Sequence, residues 1–171
     1  MNVEAVDAGA VHRLISSLSR LLQDVVHGGA SIGFLAPLSW EDAEQYWQQV
    51  RRDVDAKTCL LFVVRDEDDV IGTVQLALAT KQNGRHRAEV QKLFVHPDYR
   101  GRGTAKALMT ALEEAAREAG RTLLLLDTEE GSEAAGLYVR LGYTYAGVIP
   151  QYAFSPDGTL RGTQLFYRLL S

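Results

Sequence analysis

The sequence predicts an α/β protein with a mixed, mostly antiparallel central sheet, one locally parallel strand pair and flanking helices. Three observations lead there. Residues 89–95, the helical pattern that follows and residues 122–127 read as strand, helix, strand, and such a crossover requires the two strands to run parallel. Residues 59–64 and 70–79 flank the acidic turn Arg65-Asp66-Glu67-Asp68-Asp69, which suits an antiparallel hairpin. The chain has 171 residues, 46% of them hydrophobic, which is about the size of one domain with a full core. One domain over residues 1–171 is expected.

Taken in order, residues 2–6 suit a short first strand. Residues 11–26 carry Leu14, Ile15, Leu18, Leu22 and Val25 at the spacing of an amphipathic helix. A glycine-rich loop follows. Ser39-Trp40-Glu41-Asp42, after Pro37, resembles a capping box, and a second helix is expected to about Lys57. After the hairpin, Glu89-Val90-Gln91-Lys92-Leu93-Phe94-Val95 has the length and branching of a strand, and His96-Pro97 ends it. Ala105, Leu108, Met109, Leu112, Ala116 and Ala119 then fall at helical spacing, with Gly120 where a C-terminal cap belongs. The continuous leucines of residues 122–127 imply burial on both faces and the centre of the sheet. A short helix over residues 132–141 closes at Gly142, and residues 143–149 and 163–169 read as the last strands around Ser155-Pro156-Asp157-Gly158.

Several function classes are disfavoured by composition. A formal charge of -4, with no cluster of Lys and Arg interleaved with aromatics, gives little reason to bind nucleic acid. Glu4 and Asp7 stand where a signal peptide would be basic, and no apolar run approaches the ~18 residues of a membrane span. A cytoplasmic protein without membrane partners is expected. Cys59 opens an apolar run, which favours a small buried strand residue over an acyl-accepting nucleophile. His12, His27, His86 and His96 show no ligand spacing, so no metal site is indicated.

The most informative segment is Tyr99-Arg100-Gly101-Arg102-Gly103-Thr104-Ala105, between a strand and a helix. Arg100, Gly101 and Gly103 combine a cation with residues whose amides an anion can approach, and the helix adds its positive end. An ordinary helix start with glycines in its entry turn is the plain alternative. A P-loop would need Gly-Lys-Ser/Thr after four spacers, and a Rossmann fingerprint would need Gly or Ala where Lys106 stands. Neither fits. The segment does satisfy Gln/Arg-x-x-Gly-x-Gly/Ala through Arg100, Gly103 and Ala105.

On that motif, the preceding strand, the leucine-rich strand with its helix, and the Leu141-Gly142-Tyr143 turn, the chain resembles the GNAT superfamily of acetyl-coenzyme A-dependent N-acetyltransferases. Val26-His27-Gly28-Gly29-Ala30-Ser31, Arg87-Ala88-Glu89-Val90-Gln91-Lys92-Leu93 and Leu126-Asp127-Thr128-Glu129 look like the tabtoxin-resistance acetyltransferases. The resemblance implies a GNAT fold whose parallel strands splay, with acetyl-CoA entering the gap. Its pyrophosphate would lie on Arg100, Gly101, Arg102, Gly103, Thr104 and Ala105, although Arg102 also reads as solvated charge. Backbone groups of Leu93, Phe94 and Val95 would pair with the pantetheine arm, and an amide near Leu93 would polarise the thioester carbonyl.

Glu89 and Asp127 interrupt apolar company at the start of one parallel strand and the end of the other. A carboxylate there can accept a proton from an ammonium substrate and attract it. The plain readings are a salt bridge of Glu89 with Arg87 or Lys92, and helix capping by Asp127. Tyr138, at the margin of a helical packing stripe, matches the family's proton donor to the departing thiolate; a core tyrosine is the alternative. Ser132 either meets the adenosine side of the cofactor or caps its helix. His27 either contacts substrate or ends its helix.

These residues point to direct acetyl transfer onto a small amine in a ternary complex, by a monomer or a homodimer. The closer resemblance suggests an amino-acid-like β-lactam toxin as acceptor. Two rivals are a peptide or protein N-acetyltransferase, which needs an open groove, and an acyl-CoA-binding sensor without turnover.

Overall fold

The computed structural model describes residues 2–171, which form seven strands and four α-helices. In chain order these are β1 (Val3–Val6), α1 (Ala8–His27), α2 (Trp40–Asp55), β2 (Cys59–Asp66), β3 (Asp69–Leu78), β4 (Arg87–Val95), α3 (Thr104–Glu118), β5 (Leu123–Glu129), α4 (Glu133–Arg140), β6 (Thr144–Phe154) and β7 (Leu160–Leu169). The sheet order is β1-β2-β3-β4-β5-β7-β6. Every neighbouring pair is antiparallel except β4 and β5. Among the described residues no helix is long and apolar enough to cross a membrane.

Local chemistry sets the helix starts. The Asp7 carboxylate accepts from the Ala10 amide at 2.7 Å, so α1 begins three residues before Val11. The Ser39 hydroxyl accepts from the Asp42 amide at 3.0 Å and starts α2 as expected. Each such cap is worth roughly 1 kcal/mol. The second helix stops at Asp55, short of Lys57, whose φ of 57° is left-handed.

Helices cover both faces of the sheet. Leu108, Met109 and Leu112 of α3, with Tyr138 of α4, pack on Leu76, Val90, Leu124, Leu126 and Phe166. On the opposite face, α1 and α2 bury Leu18, Leu22 and Trp47 against Leu61, Val63, Val70 and Phe94. That second layer sits toward β1–β3.

The leucine run of β5 is therefore not buried on both faces. Leu124 and Leu126 are core, whereas Leu125 points to the side of α1 and α2 and is 38% exposed. Nor is β5 the middle of the sheet. That place belongs to β4, with β5 beside it. The last two strands are also longer than expected, continuing past the end of β5 as the pairs Ala153↔Arg161 and Phe154↔Leu160.

The parallel pair is short. Arg87↔Leu123, Ala88↔Leu124 and Glu89↔Leu125 face each other, and no pair follows. From there β4 stays with β3 up to Gly72↔Val95, while β5 stays with β7 up to Glu129↔Thr163. Each strand follows its antiparallel partner, which opens a wedge between residues 90–95 and 126–129. A register shift opposite Thr73 and Gln75, with Lys92 at φ 52°, marks a bulge in β4 beside this opening.

Candidate active site

One wall of the wedge leads to the turn before α3. Gly101 and Gly103 have φ of 73° and 82°, and a Cβ on either would meet no atom within 4 Å. Gly103 is the N-cap of α3 and supplies no side chain, so no cap hydrogen bond occupies the first-turn amides. Left-handed residues alternating along a turn aim successive N–H groups into one concavity, and the helix dipole adds positive potential. The donor set suits a pyrophosphate.

The side chains around that turn behave differently from its backbone. Arg100 folds back, its Nε donating to the Val95 carbonyl at 3.2 Å. Arg102 donates to the Asp98 carbonyl at 2.9 Å and lies 5.0 Å over the Tyr99 ring. Thr104 is buried, and its methyl would lie 3.2 Å from a Cβ on Gly72. Its hydroxyl is buried without a hydrogen-bond partner among the described residues, and Ala105 continues the first turn. Leu93, Phe94 and Val95 lie on the stretch of β4 that has left β5.

Glu89 and Asp127 are both exposed and project to the same side, because Glu89 is opposite Leu125 and Asp127 is two residues further along β5. The strand rise offsets them by about 7 Å along the strand direction, in addition to the spacing between the two strands. Among the described residues Glu89 makes no ion pair within 4.0 Å, so the salt bridges with Arg87 or Lys92 are not formed. Asp127 caps no helix. Its Oδ2 accepts from the Thr163 hydroxyl at 2.8 Å, while Ser132 occupies the N-cap of α4. The Ser132 hydroxyl shares a 2.9 Å hydrogen bond with that of Thr128 instead of an α4 amide.

The Tyr138 ring is core, packed 5.9 Å from both Tyr143 and Phe166. Burial, aided by the nearby charge of Asp127, pushes its hydroxyl up to about 12. The phenol therefore keeps its proton. His27 ends α1, and its Nε2 accepts from the Leu38 amide at 3.0 Å. That bond ties the loop between α1 and α2, so its acceptor nitrogen is already in use.

Sequence reasoning missed Lys92. Its Nζ donates to the Ile32 carbonyl at 2.6 Å and lies 5.5 Å from the Phe34 ring and 5.8 Å from the Tyr46 ring. Burial lowers its affinity for a proton, and the charges of Asp127 and Glu89 oppose that shift. Asp127 thus acts on both Lys92 and Tyr138, and Glu89 acts on Lys92. The four groups share one electrostatic neighbourhood at the wedge.

A series of contacts links the two splayed strands across the opening. Lys92 holds Ile32; further along the same loop, the Ala36 amide donates to the Pro156 carbonyl at 3.0 Å; next to Pro156, the Ser155 hydroxyl bonds the Glu129 carboxylate at the end of β5. Loop and turn together span from one splayed strand to the other. A separate groove of about 1030 Å³ runs between this loop and α2, past Phe34, Glu41 and Tyr46, and none of the predicted site residues line it.

The model of the acetyltransferase (GNAT) family matches residues 31–143, which include β4, the nest, α3, β5 and α4. The chain belongs to the GNAT acetyltransferase family. It is thus an acetyl-CoA-dependent N-acetyltransferase, and its seven-stranded mixed sheet with one parallel pair is the family's fold. A curated relative, an N-acetyltransferase of the hisH-hisA intergenic region of Azospirillum brasilense, is 32% identical over 130 residues, 75% of this chain and 73% of its own. Among solved structures, the ribosomal-protein-alanine N-acetyltransferase of Brucella melitensis superposes with a TM-score of 0.80 at 20% identity, covering 99% of this chain and 100% of its own. The yncA protein of Salmonella typhimurium, solved with its cofactor acetyl-CoA, gives 0.79 at 18% identity over 100% and 94% of the two chains. At such identities these likenesses show the shared fold.

Proposed function

We propose that this GNAT enzyme acetylates the amino group of a small, amino-acid-like acceptor by direct transfer in a ternary complex, with residues 1–171 acting as one catalytic unit. Acetyl-CoA supplies the activated acyl group as a thioester. The turn over Arg100, Gly101, Arg102 and Gly103, with the amides of Thr104 and Ala105, holds its pyrophosphate chiefly through backbone N–H groups, while the Arg100 and Arg102 side chains stay on the Val95 and Asp98 carbonyls. The free edge of Leu93, Phe94 and Val95 aligns its arm, and an amide near Leu93 polarises the carbonyl. Ser132 stands toward the adenosine side.

Glu89 and Asp127 attract the acceptor's ammonium and remove a proton, directly or through water, so that a neutral amine attacks. Tyr138 hydrogen-bonds the departing sulfur. A thiol of pKa about 8.5 is a better acid than this phenol, so Tyr138 stabilises the thiolate chiefly as a donor without giving up its proton outright. Direct attack agrees with Cys59, which is buried and pushed up to about 12, far from a reactive thiolate. His27 acts on the acceptor by holding the loop at Leu38.

The observation that carries the acceptor class is the series of contacts through Lys92, Ile32, Ala36, Pro156, Ser155 and Glu129. It carries the chain across the acceptor side of the wedge, where a peptide would need a clear groove. The segments around His27, Glu89 and Asp127 that look like the tabtoxin-resistance enzymes favour a β-lactam amino acid acetylated at its α-amino group. Steady-state release of free thiol tests this, with each free amino acid compared with a peptide carrying the same N-terminal residue and with β-lactam amino acids in the panel. Free amino acids are expected to react at least tenfold faster. Faster reaction of the peptides would reverse the assignment.

A further inference from the structure

Lys92 presents an unusual electrostatic situation. It lies in left-handed backbone at the β4 bulge, which turns its side chain to the same side of the sheet as Glu89 and Asp127. The ammonium is largely withdrawn from water between Phe34 and Tyr46, yet among the described residues no carboxylate lies within ion-pair distance of it. A buried charge ordinarily has a partner, because desolvation without one is costly. Of its three donors, one is used, on the Ile32 carbonyl.

The surrounding charges define what would complete it. Glu89 and Asp127 are close enough to act on Lys92 but are held on β4 and β5 without pairing with it. Two anions and one cation on one side of the wedge match a ligand that carries the opposite charges at short separation. An α-amino acid is such a ligand: its ammonium suits the carboxylates, and its carboxylate suits Lys92. Lys92 directly precedes Leu93 in the chain, so an acceptor anchored there stays beside the free edge of β4.

We propose that the Lys92 ammonium, held between Phe34 and Tyr46, binds the carboxylate of a zwitterionic acceptor and so makes the enzyme select amines that bear an adjacent carboxylate. This rests on the small-acceptor reading above and adds the group that enforces it. The Ile32 contact means that Lys92 also tethers the loop, so the test has to separate charge recognition from loop anchoring.

The decisive comparison is between an amino acid and its α-carboxamide, which share the amine and differ in the charge that Lys92 would meet. The wild-type enzyme should favour the amino acid at least tenfold in kcat/KM, mainly through KM. Lys92→Met should bring the ratio near one, and Lys92→Arg should restore part of it. If Lys92 only anchors the loop, Lys92→Met will slow both acceptors equally, and that result would overturn the proposal, as would absence of preference in the wild type. A second readout needs no turnover: calorimetric binding of N-acetylalanine against N-acetylalaninamide. Tighter binding of the acid by the wild type, lost in Lys92→Met, would support the Lys92 site even if no amine were acetylated and the acceptor reading above failed. Equal binding of the two would refute it.

Discussion

Asp127 is the residue on which the proposed chemistry converges. It is held by Thr163, lies on the same side as Glu89, and its charge acts on both Lys92 and Tyr138. If Glu89 or Asp127 removes the acceptor's proton, Glu89→Gln or Asp127→Asn will reduce turnover more at acidic than at neutral pH, where more of the amine is already free. Roughly a hundredfold loss of kcat is expected for the residue acting as base, within the usual range for general-base removal. Unchanged pH–rate profiles in both variants would reject the role. Tyr138→Phe keeps the core ring and removes one hydrogen bond, so kcat should fall roughly tenfold without vanishing. Glu89, Asp127 and Tyr138 were singled out as candidates from the sequence because a carboxylate or phenol at the margin of an apolar pattern needs a reason. Lys92 was not, because Lys in a strand is ordinary until the fold brings Ile32 and Phe34 over it from about sixty residues away.

At the scale of the element, β4, the turn after it and α3 form the unit proposed to hold the donor. Its signature was readable because the backbone demand is local: two left-handed positions must be glycine or carry strain, and the chain has Gly101 and Gly103 there. Gly103→Val would cost roughly 1–2 kcal/mol in backbone strain and put a branched side chain into the nest. Initial-rate kinetics should show KM for acetyl-CoA raised about tenfold, equivalent to ~1.4 kcal/mol, with a smaller change in kcat. The caps at Asp7 and Ser39 are equally local; Ser39 was foreseen as such, and Asp7 moves the start of α1. Strand β5 was misread for the complementary reason. Its leucines specify an apolar strand, but which face receives a helix depends on how far α1 and α2 extend over the sheet.

Across the molecule, the fold class was visible in element order, whereas the contacts that bridge the wedge were not. Ala36 meets Pro156 through backbone groups, which no side-chain pattern announces. Burial also leaves a pH signature. The folded protein holds Cys59 and Tyr138 up to about 12, whereas an unfolded chain releases those protons near 9 and 10. Folded pKa values above the unfolded ones give stability that is complete below about pH 9 and is lost as pH rises through about 12. The guanidinium midpoint should be level from pH 7 to 9 and fall through pH 10 and 11, less steeply in Cys59→Ala. A midpoint constant to pH 11 would contradict the burial of these groups.

The central claim is that the splayed β4–β5 wedge holds donor and small amine together while acetyl passes directly between them. Initial rates of thiol release, measured while acetyl-CoA and an amino-acid acceptor are varied against each other, test it most directly. Intersecting double-reciprocal lines, retained in Cys59→Ala, are the predicted result. Parallel lines, or acetyl-CoA binding without thiol release for any amine, would contradict it.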